Sequence, residues 1–417
     1  MRWVGGLLLL ATVLIAIPAA AHLTPNSEVN LDFGQHEIVA DIIIPQGEYG
    51  FATGNPVGNT AIALSRARAF LTGHVRLTSP DRAAWTMVID RLDFAQIAGP
   101  PDLHAIATFT PAPGHDARRL AISWSAVIDQ VPNHFVLFVA RSDFAAGKLD
   151  DRRVILGALQ GDKRRLAIDR GKADSLKGFR AAIALGMQHI VEGHDHLLFL
   201  IALLLPAPAL AVAGMWRGRR GARATLITLA RIVTAFTIGH SLTLIGAAFL
   251  GWQLPARPVE IGIALSILIS AIHAWRPLFP GREPLVAGLF GLVHGLAFAT
   301  VVSRFGLGMG EKAASILGFN LGIEIVQLLV VIAIMPALMM LANTRFFAGF
   351  RAVGAGCAGF AAVAWIIERI AGTPNPVAEA IDTGLAQAGY GVAALTLFAA
   401  IAFVTTRARL NPGDARL

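Results

Sequence analysis

Within HIVEGHDHLLFLIALLLP, residues 189–206, three histidines, a glutamate and an aspartate fall in eight residues, and ten uncharged residues follow. Neutral imidazole with carboxylate is the ligand chemistry of the borderline divalent ions Ni²⁺, Co²⁺, Cu²⁺ and Zn²⁺. On one continuous helix turning about 100° per residue, His189, Glu192, Gly193 and His196 share an arc. Asp195 falls at its flank and His194 on nearly the opposite side. A carboxylate there can also serve at one remove, by orienting an imidazole through its second nitrogen.

Later apolar segments add polar groups at comparable depth. FTIGHSLTL carries His240, FGLVHGLAFA carries His294, and FNLGIEIVQ sets Asn320, Glu324 and Gln327 on one face at i, i+4 and i+7. Glu260 and His273 stand toward opposite ends of another segment. Each residue alone is explained by interhelical hydrogen bonding. Together they bring imidazole or carboxylate from four segments toward one depth, and ionisable groups in hydrocarbon mark a site or a pathway. An intramembrane metal site is the leading expectation; a proton relay or a buried ion-pair network is the alternative.

These residues must be held by membrane helices. Hydrophobic residues make up 55% of the 417 and charged residues only 15%, and the imbalance is concentrated after residue 178. A span needs roughly 20 apolar residues. Seven segments qualify, near 179–206, 224–250, 258–275, 284–303, 313–341, 349–371 and 387–406; the third is the shortest, and six or eight spans are the alternatives. The fold class expected is an all-α polytopic bundle preceded by an exported all-β, sandwich-like domain. Residues 1–21, with Arg2, an apolar run and AAA before His22, read as a signal peptide, an uncleaved anchor being the alternative. Residues 22–170 alternate like strands (EIVADIII, HVRLTS, AWTMVID, HAIATFTP, LAISWSAVI, HFVLFVA) between Gly, Pro, Asn and Asp turns, with a last hairpin over 152–168 turning at Gly161-Asp162. A linker, 171–178, leads to the membrane domain at 179–406 and a cytoplasmic tail at 407–417.

Charge sets the orientation. The arginine-bearing loops at 216–223, around Arg276 and Arg282, around Arg345 and Arg351, and in the tail alternate with cation-poor ones such as TPNPVAEAIDTG, which the positive-inside rule reads as N-out, C-in. The inner membrane is the expected location, the bilayer and a metal ion the expected partners, with a further partner for the β domain on the exported side. The formal charge of +8 is accounted for by these loops rather than by nucleic acid. The single cysteine, Cys357, lies in an apolar segment, which excludes an intramolecular disulfide and leaves imidazole, carboxylate and neutral oxygen as ligands.

H-x5-D-H in the first span, here His189, Asp195 and His196, resembles the signature of the HupE/UreJ family, hydrogenase and urease accessory membrane proteins regarded as nickel permeases. FTIGHSLTL, FGLVHGLAF and FNLGIEIVQ also look like that family's later helices. The resemblance covers residues 178 to 341 well, the last two helices loosely and the β domain hardly at all. It implies a membrane permease for a divalent transition metal, nickel being favoured and cobalt, copper or zinc remaining open. His189, Asp195, His196, His240, His294 and Glu324 form the expected metal site, with Glu192, Asn320 and Gln327 in support. The chain departs from the short members in its exported domain and in the apolar stretch after His294.

If the signal is cleaved, the α-amino group and imidazole of His22 together could chelate metal on the exported side. Two other functions compete with transport. In an intramembrane metal-dependent hydrolase, Glu192, Asp195 or Glu324 would be the general base, although neither HExxH nor G-x-S-x-G is present. In a scaffold or sensor the polar network would be structural.

Overall fold

In the computed structural model, residues 26–96, 101–149, 152–252, 254–304, 307–385 and 387–410 are described, without the side chains of 299–304 and 407–410. The expected signal peptide and His22 lie outside them. The chain divides into two units, residues 1–141 with 152–171, and 142–151 with 172–417.

Alternation of buried and half-buried residues builds the first unit. In β1 (Ser27–Phe33) and β2 (Ile38–Pro45), Val29, Leu31, Ile38, Ala40, Ile42 and Ile44 point inward, as the two-residue period of a strand requires. These strands join β4 (Thr86–Ala95), β5 (Asp102–Thr110), β7 (Phe135–Asp143) and β8 (Val154–Gln160) in a six-stranded sheet of order β4-β5-β2-β1-β7-β8. A second sheet runs β3-β6-β9, from β3 (Val75–Thr78), β6 (Arg119–Trp124) and β9 (Arg165–Asp169). Trp124 of the small sheet meets Phe138 of the large one edge-on, ring centroids 5.8 Å apart.

Two expectations for this unit need correction. It is not all-β: α1 (Gln46–Thr53) and α2 (Ala61–His74) follow β2. In α2, Ala63, Ala67 and Leu71 recur every four residues and are buried, and Thr60 caps the first turn by accepting from the Ala63 N–H at 3.3 Å, a helical period hidden among strands. Nor do residues 152–168 form a hairpin. The chain turns at Gly161, but β8 pairs with β7 and β9 with β6, so it passes from one sheet to the other.

The second unit is helical. Its helices are α3 (Ser175–Glu192), α4 (His194–Leu204), α5 (Ala222–Leu250), α6 (Ala256–Trp275), α7 (Glu283–Arg304), α8 (Met309–Leu341), α9 (Phe347–Ala371), α10 (Pro376–Leu385) and α11 (Ala388–Leu410). Five segments among the described residues are long and apolar enough to cross a membrane: α5, α6, α8, α9 and Ala388–Thr406 of α11; His194–Leu204 and Glu283–Phe298 are shorter apolar helices. The arginine-bearing segment before α5 contains a small hairpin, β10 (Ala209–Val212) and β11 (Met215–Arg219), and the cation-poor segment after α9 contains α10.

Contacts fix the relative directions of several helices. Gly318 of α8 lies against Phe179 and Ala182 of α3, and Gly322 against Ile183 and Met187, so α3 and α8 run parallel. A Cβ at Gly186 would overlap the Phe319 carbonyl oxygen, and one at Gly322 the Ile183 carbonyl oxygen; only glycine permits this approach of backbones. By the same reading α5 and α7 run parallel, Gly288 meeting Ala235, Gly291 meeting Phe236 and His240, and Gly295 meeting His240 and Thr243. His240–Asn320 and Thr234–Glu324 make α5 and α8 antiparallel. Arg369–Glu260 and the Arg351 donation to the Ala274 carbonyl do the same for α9 and α6.

Candidate metal centre

The segment expected as one continuous helix breaks between α3 and α4. Gly193 takes φ −80° and ψ 86°, its N–H still donates to the His189 carbonyl at 3.0 Å, and α4 restarts at His194. Discontinuous helices of this kind place backbone ends and side chains at a binding site in the membrane interior. The break changes which residues face inward. His189 and His196 converge, with ring centroids 4.7 Å apart. Glu192, expected on the inward arc, is exposed and accepts from Gln188 Nε2 at 2.7 Å. His194 turns away to Asp382 of α10, at 3.2 Å.

His240 of α5 completes the group. One nitrogen from each of His189, His196 and His240 lies within 4.8 Å of the others, and this is the group of three or more potential ligands among the described residues. His189 is half-buried, His196 is 5% exposed and His240 fully buried. Two of these imidazoles have their protons assigned by their neighbours. Asn320 donates from Nδ2 to the Ile316 carbonyl at 2.8 Å, which turns its Oδ1 toward His240 Nδ1, 3.2 Å away. Nδ1 of His240 is therefore the donor and Nε2 carries the lone pair. Asp195 Oδ1 accepts from His196 Nδ1 at 2.8 Å, which leaves the lone pair of His196 on Nε2 as well. The Nε2 atoms of His189, His196 and His240 are buried without a hydrogen-bond partner among the described residues. Unpaired ring nitrogens in such a place are costly, and a cation would satisfy those of His196 and His240, and that of His189 when its proton sits on Nδ1.

His294 of α7 stands beside the group, its ring 4.8 Å from that of His196. Ser266 Oγ donates to the Ile263 carbonyl at 2.7 Å, so it accepts from His294 Nε2 at 3.0 Å and leaves the lone pair on Nδ1, which has no partner among the described residues. His294 is thus a neighbour of the three-imidazole group and not one of the three. Ser266 was not legible as a site residue, since a serine in ALSILIS reads as ordinary helix packing.

The carboxylates stand outside the three-imidazole group. Asp195, expected among the ligands, engages His196 by ring and backbone, both at 2.8 Å, in the orienting position. Glu324 lies one turn past Asn320, about 6 Å along the helix, where Thr234 Oγ1 donates to it at 3.4 Å; α8 carries it past the imidazoles. Gln327 is buried farther along the same helix. Asn320, expected only in support, is the residue that orients His240. His273 stays apart near the end of α6: its Nδ1 accepts from the Leu278 N–H at 3.1 Å, and its ring stacks on Phe279 at 3.8 Å.

Aromatic rings pack above and below the imidazoles. Phe298 and Phe319 stack on each other at 4.2 Å beside His189, and Phe199 and Phe236 lie 5.3 Å apart beside His294. The site therefore combines unpartnered imidazole nitrogens, two of them on rings whose protons are fixed by neighbours, and an aromatic surround, which suits a borderline divalent ion.

No curated protein and no solved structure matches the chain. The family described as HupE / UreJ protein matches residues 163–369, which contain every residue of the centre, and the β domain stands largely outside the matched region, consistent with a longer branch. Residues 163–369 belong to the HupE / UreJ family, whose members are linked to metal handling in membranes.

Proposed function

We propose that the protein is an inner-membrane permease that moves a divalent transition-metal cation from the exported side to the cytoplasm, nickel being favoured by the family. The observation that carries this is the convergence of His189, His196 and His240, one nitrogen of each lying within 4.8 Å of the others. The His196 and His240 protons are held by Asp195 and Asn320. Three imidazoles are an incomplete shell for a four-coordinate ion. That suits transport, in which an ion must bind firmly enough to enter and weakly enough to leave. His294, with its Nδ1 free, is the next ligand along the path.

The same reading has seven spans with the β domain outside. α3 with α4 acts as the first span and α7 as the fourth. The parallel pairs α3/α8 and α5/α7 and the antiparallel pairs α5/α8 and α6/α9 are those an alternating seven-span order requires. The β domain, 22–170, would then lie on the exported side, where His22 could contribute to metal capture. A hydrolase has less support, because Glu192 faces away, Glu324 lies a turn beyond and Asp195 is committed to His196.

The test is uptake of Ni²⁺, Co²⁺, Cu²⁺ and Zn²⁺ into proteoliposomes by wild type and His240→Ala. The permease reading predicts uptake of at least one ion by wild type and its loss in the variant. Equal flux in both would reject it.

A further inference from the structure

Two cavities and the imidazoles follow one order along the helices. The first cavity is lined by Leu149, Leu185, Leu307, Ser315, Phe298 and Phe319, among others; on α3 and α8 its residues precede His189 and Asn320. The second takes Leu203 from α4, Ile232 from α5 and Glu283 from α7, all beyond the cluster in the opposite direction. In the seven-span order the first lies on the exported side of the imidazoles and the second on the cytoplasmic side.

Phe298 and Phe319 separate the first cavity from the imidazoles. Their rings are 4.2 Å apart and 14° from parallel, and they lie 5.0 and 5.3 Å from the His189 ring. The cavity itself is apolar except for the Ser315 hydroxyl, which is buried without a partner among the described residues. Apolar constrictions gate ions by excluding water. No hydrogen bond can tie two phenyl rings together, so packing alone keeps this barrier closed. The backbone of Phe319 is pinned where Gly186 brings α3 against its carbonyl oxygen. Opening therefore falls to the Phe298 ring.

We propose that Phe298, stacked on Phe319, is the outer gate of the metal centre, and that it controls the passage of a divalent cation from the apolar cavity at Ser315 to His189. The proposal rests on the permease reading for its cargo, but the gate can be tested without metal. Full-length protein is placed in right-side-out and inverted vesicles with its exposed cysteine removed as Cys357→Ser. Single cysteines are then introduced as Ser315→Cys, before the gate, and as Thr237→Cys, one turn past His240. A membrane-impermeant thiol reagent added from the exported side should label Ser315→Cys readily. It should label Thr237→Cys only when Phe298→Ala is also present.

With Co²⁺ as the probe, loading of the imidazoles from the exported side should rise by about tenfold in Phe298→Ala and fall in Phe298→Trp, as expected when a gate limits entry. Labelling of Ser315→Cys only from the cytoplasmic side would overturn the proposal. So would labelling of Thr237→Cys that is the same with phenylalanine, alanine or tryptophan at 298. If wild type binds none of Ni²⁺, Co²⁺, Cu²⁺ and Zn²⁺ while labelling still follows residue 298, the permease reading fails and the gate stands.

Discussion

One carboxylate oxygen of Asp195 receives both the ring Nδ1–H and the backbone N–H of His196, each at 2.8 Å. That relationship sets the imidazole's tautomer and its rotation together, so Asp195 acts on an ion through His196. Losing such an orienting partner typically costs 10–100-fold in metal affinity. Asp195→Ala should show about that loss in a Co²⁺ titration of the detergent-solubilised protein, and Asp195→Asn, which keeps an acceptor but not the charge, a smaller one. Wild-type affinity in Asp195→Ala would remove Asp195 from the site.

Asn320 does for His240 what Asp195 does for His196, but with a neutral amide whose orientation is dictated by the Ile316 carbonyl. Asn320→Leu, similar in size and unable to accept, should weaken Co²⁺ binding by roughly tenfold or more. Asn320→Asp should retain binding. Equal loss in both variants would point to packing instead of tautomer control.

The break between α3 and α4 depends on Gly193. A Cβ there would lie 2.7 Å from the His189 carbonyl oxygen and 2.8 Å from His196 Nδ1, closer than carbon can approach either atom. Gly193→Ala should cost about 1–3 kcal/mol through overpacking and should also displace His196. The expected result is a lowered Tm together with lost Co²⁺ binding. Gly349→Ala, where an added methyl meets nothing within 4 Å, serves as the control that keeps both.

A pH effect belongs to the β domain. His104 Nε2 lies 2.9 Å from Asp41 Oδ1, and its Nδ1 lies 3.3 Å from Asp93. The hydrogen bond to Asp41 raises the His104 pKa above 6.5 despite burial. Burial pushes Asp41 upward, but the His104 hydrogen bond and the Arg141 charge outweigh it and leave Asp41 below 3.8. The His104 contribution is therefore complete below pH 6.5 and is lost as pH rises through its elevated folded value. The Asp41 contribution is present above pH 3.8 and is lost as pH falls through its depressed value. Together they stabilise most between about pH 4 and 6.5. The difference in Tm between wild type and His104→Gln should be greatest in that window and shrink on the alkaline side. A difference that does not change with pH would contradict the ion pair.

The site was legible in the sequence to the extent that single residues declare themselves in an apolar segment. His189, His196 and His240 stand out because imidazole is expensive there, and the structure brings them together. What could not be read was direction. A face calculated for an unbroken helix put Glu192 inside, because nothing in V-E-G-H states that Gly193 will interrupt the helix. Glu324 looked equivalent to Asn320 at i+4, yet one helical turn is enough to carry it past His240. The strands were legible where alternation was regular, whereas α2 was not, because its Ala63, Ala67 and Leu71 period is short and alanine-rich. The pairing of β8 and β9 with different sheets depends on long-range contacts that a turn signal at Gly161 does not specify.

If His189, His196 and His240 bind an ion on its way across the membrane, removing one imidazole must abolish both binding and flux. The most direct measurement is metal uptake into proteoliposomes by wild type and His196→Ala, run in parallel for Ni²⁺, Co²⁺, Cu²⁺ and Zn²⁺, with bound metal counted on the same preparations. The account predicts uptake and binding of at least one ion by wild type and loss of both in the variant. Uptake and bound metal unchanged by His196→Ala for every ion would contradict it.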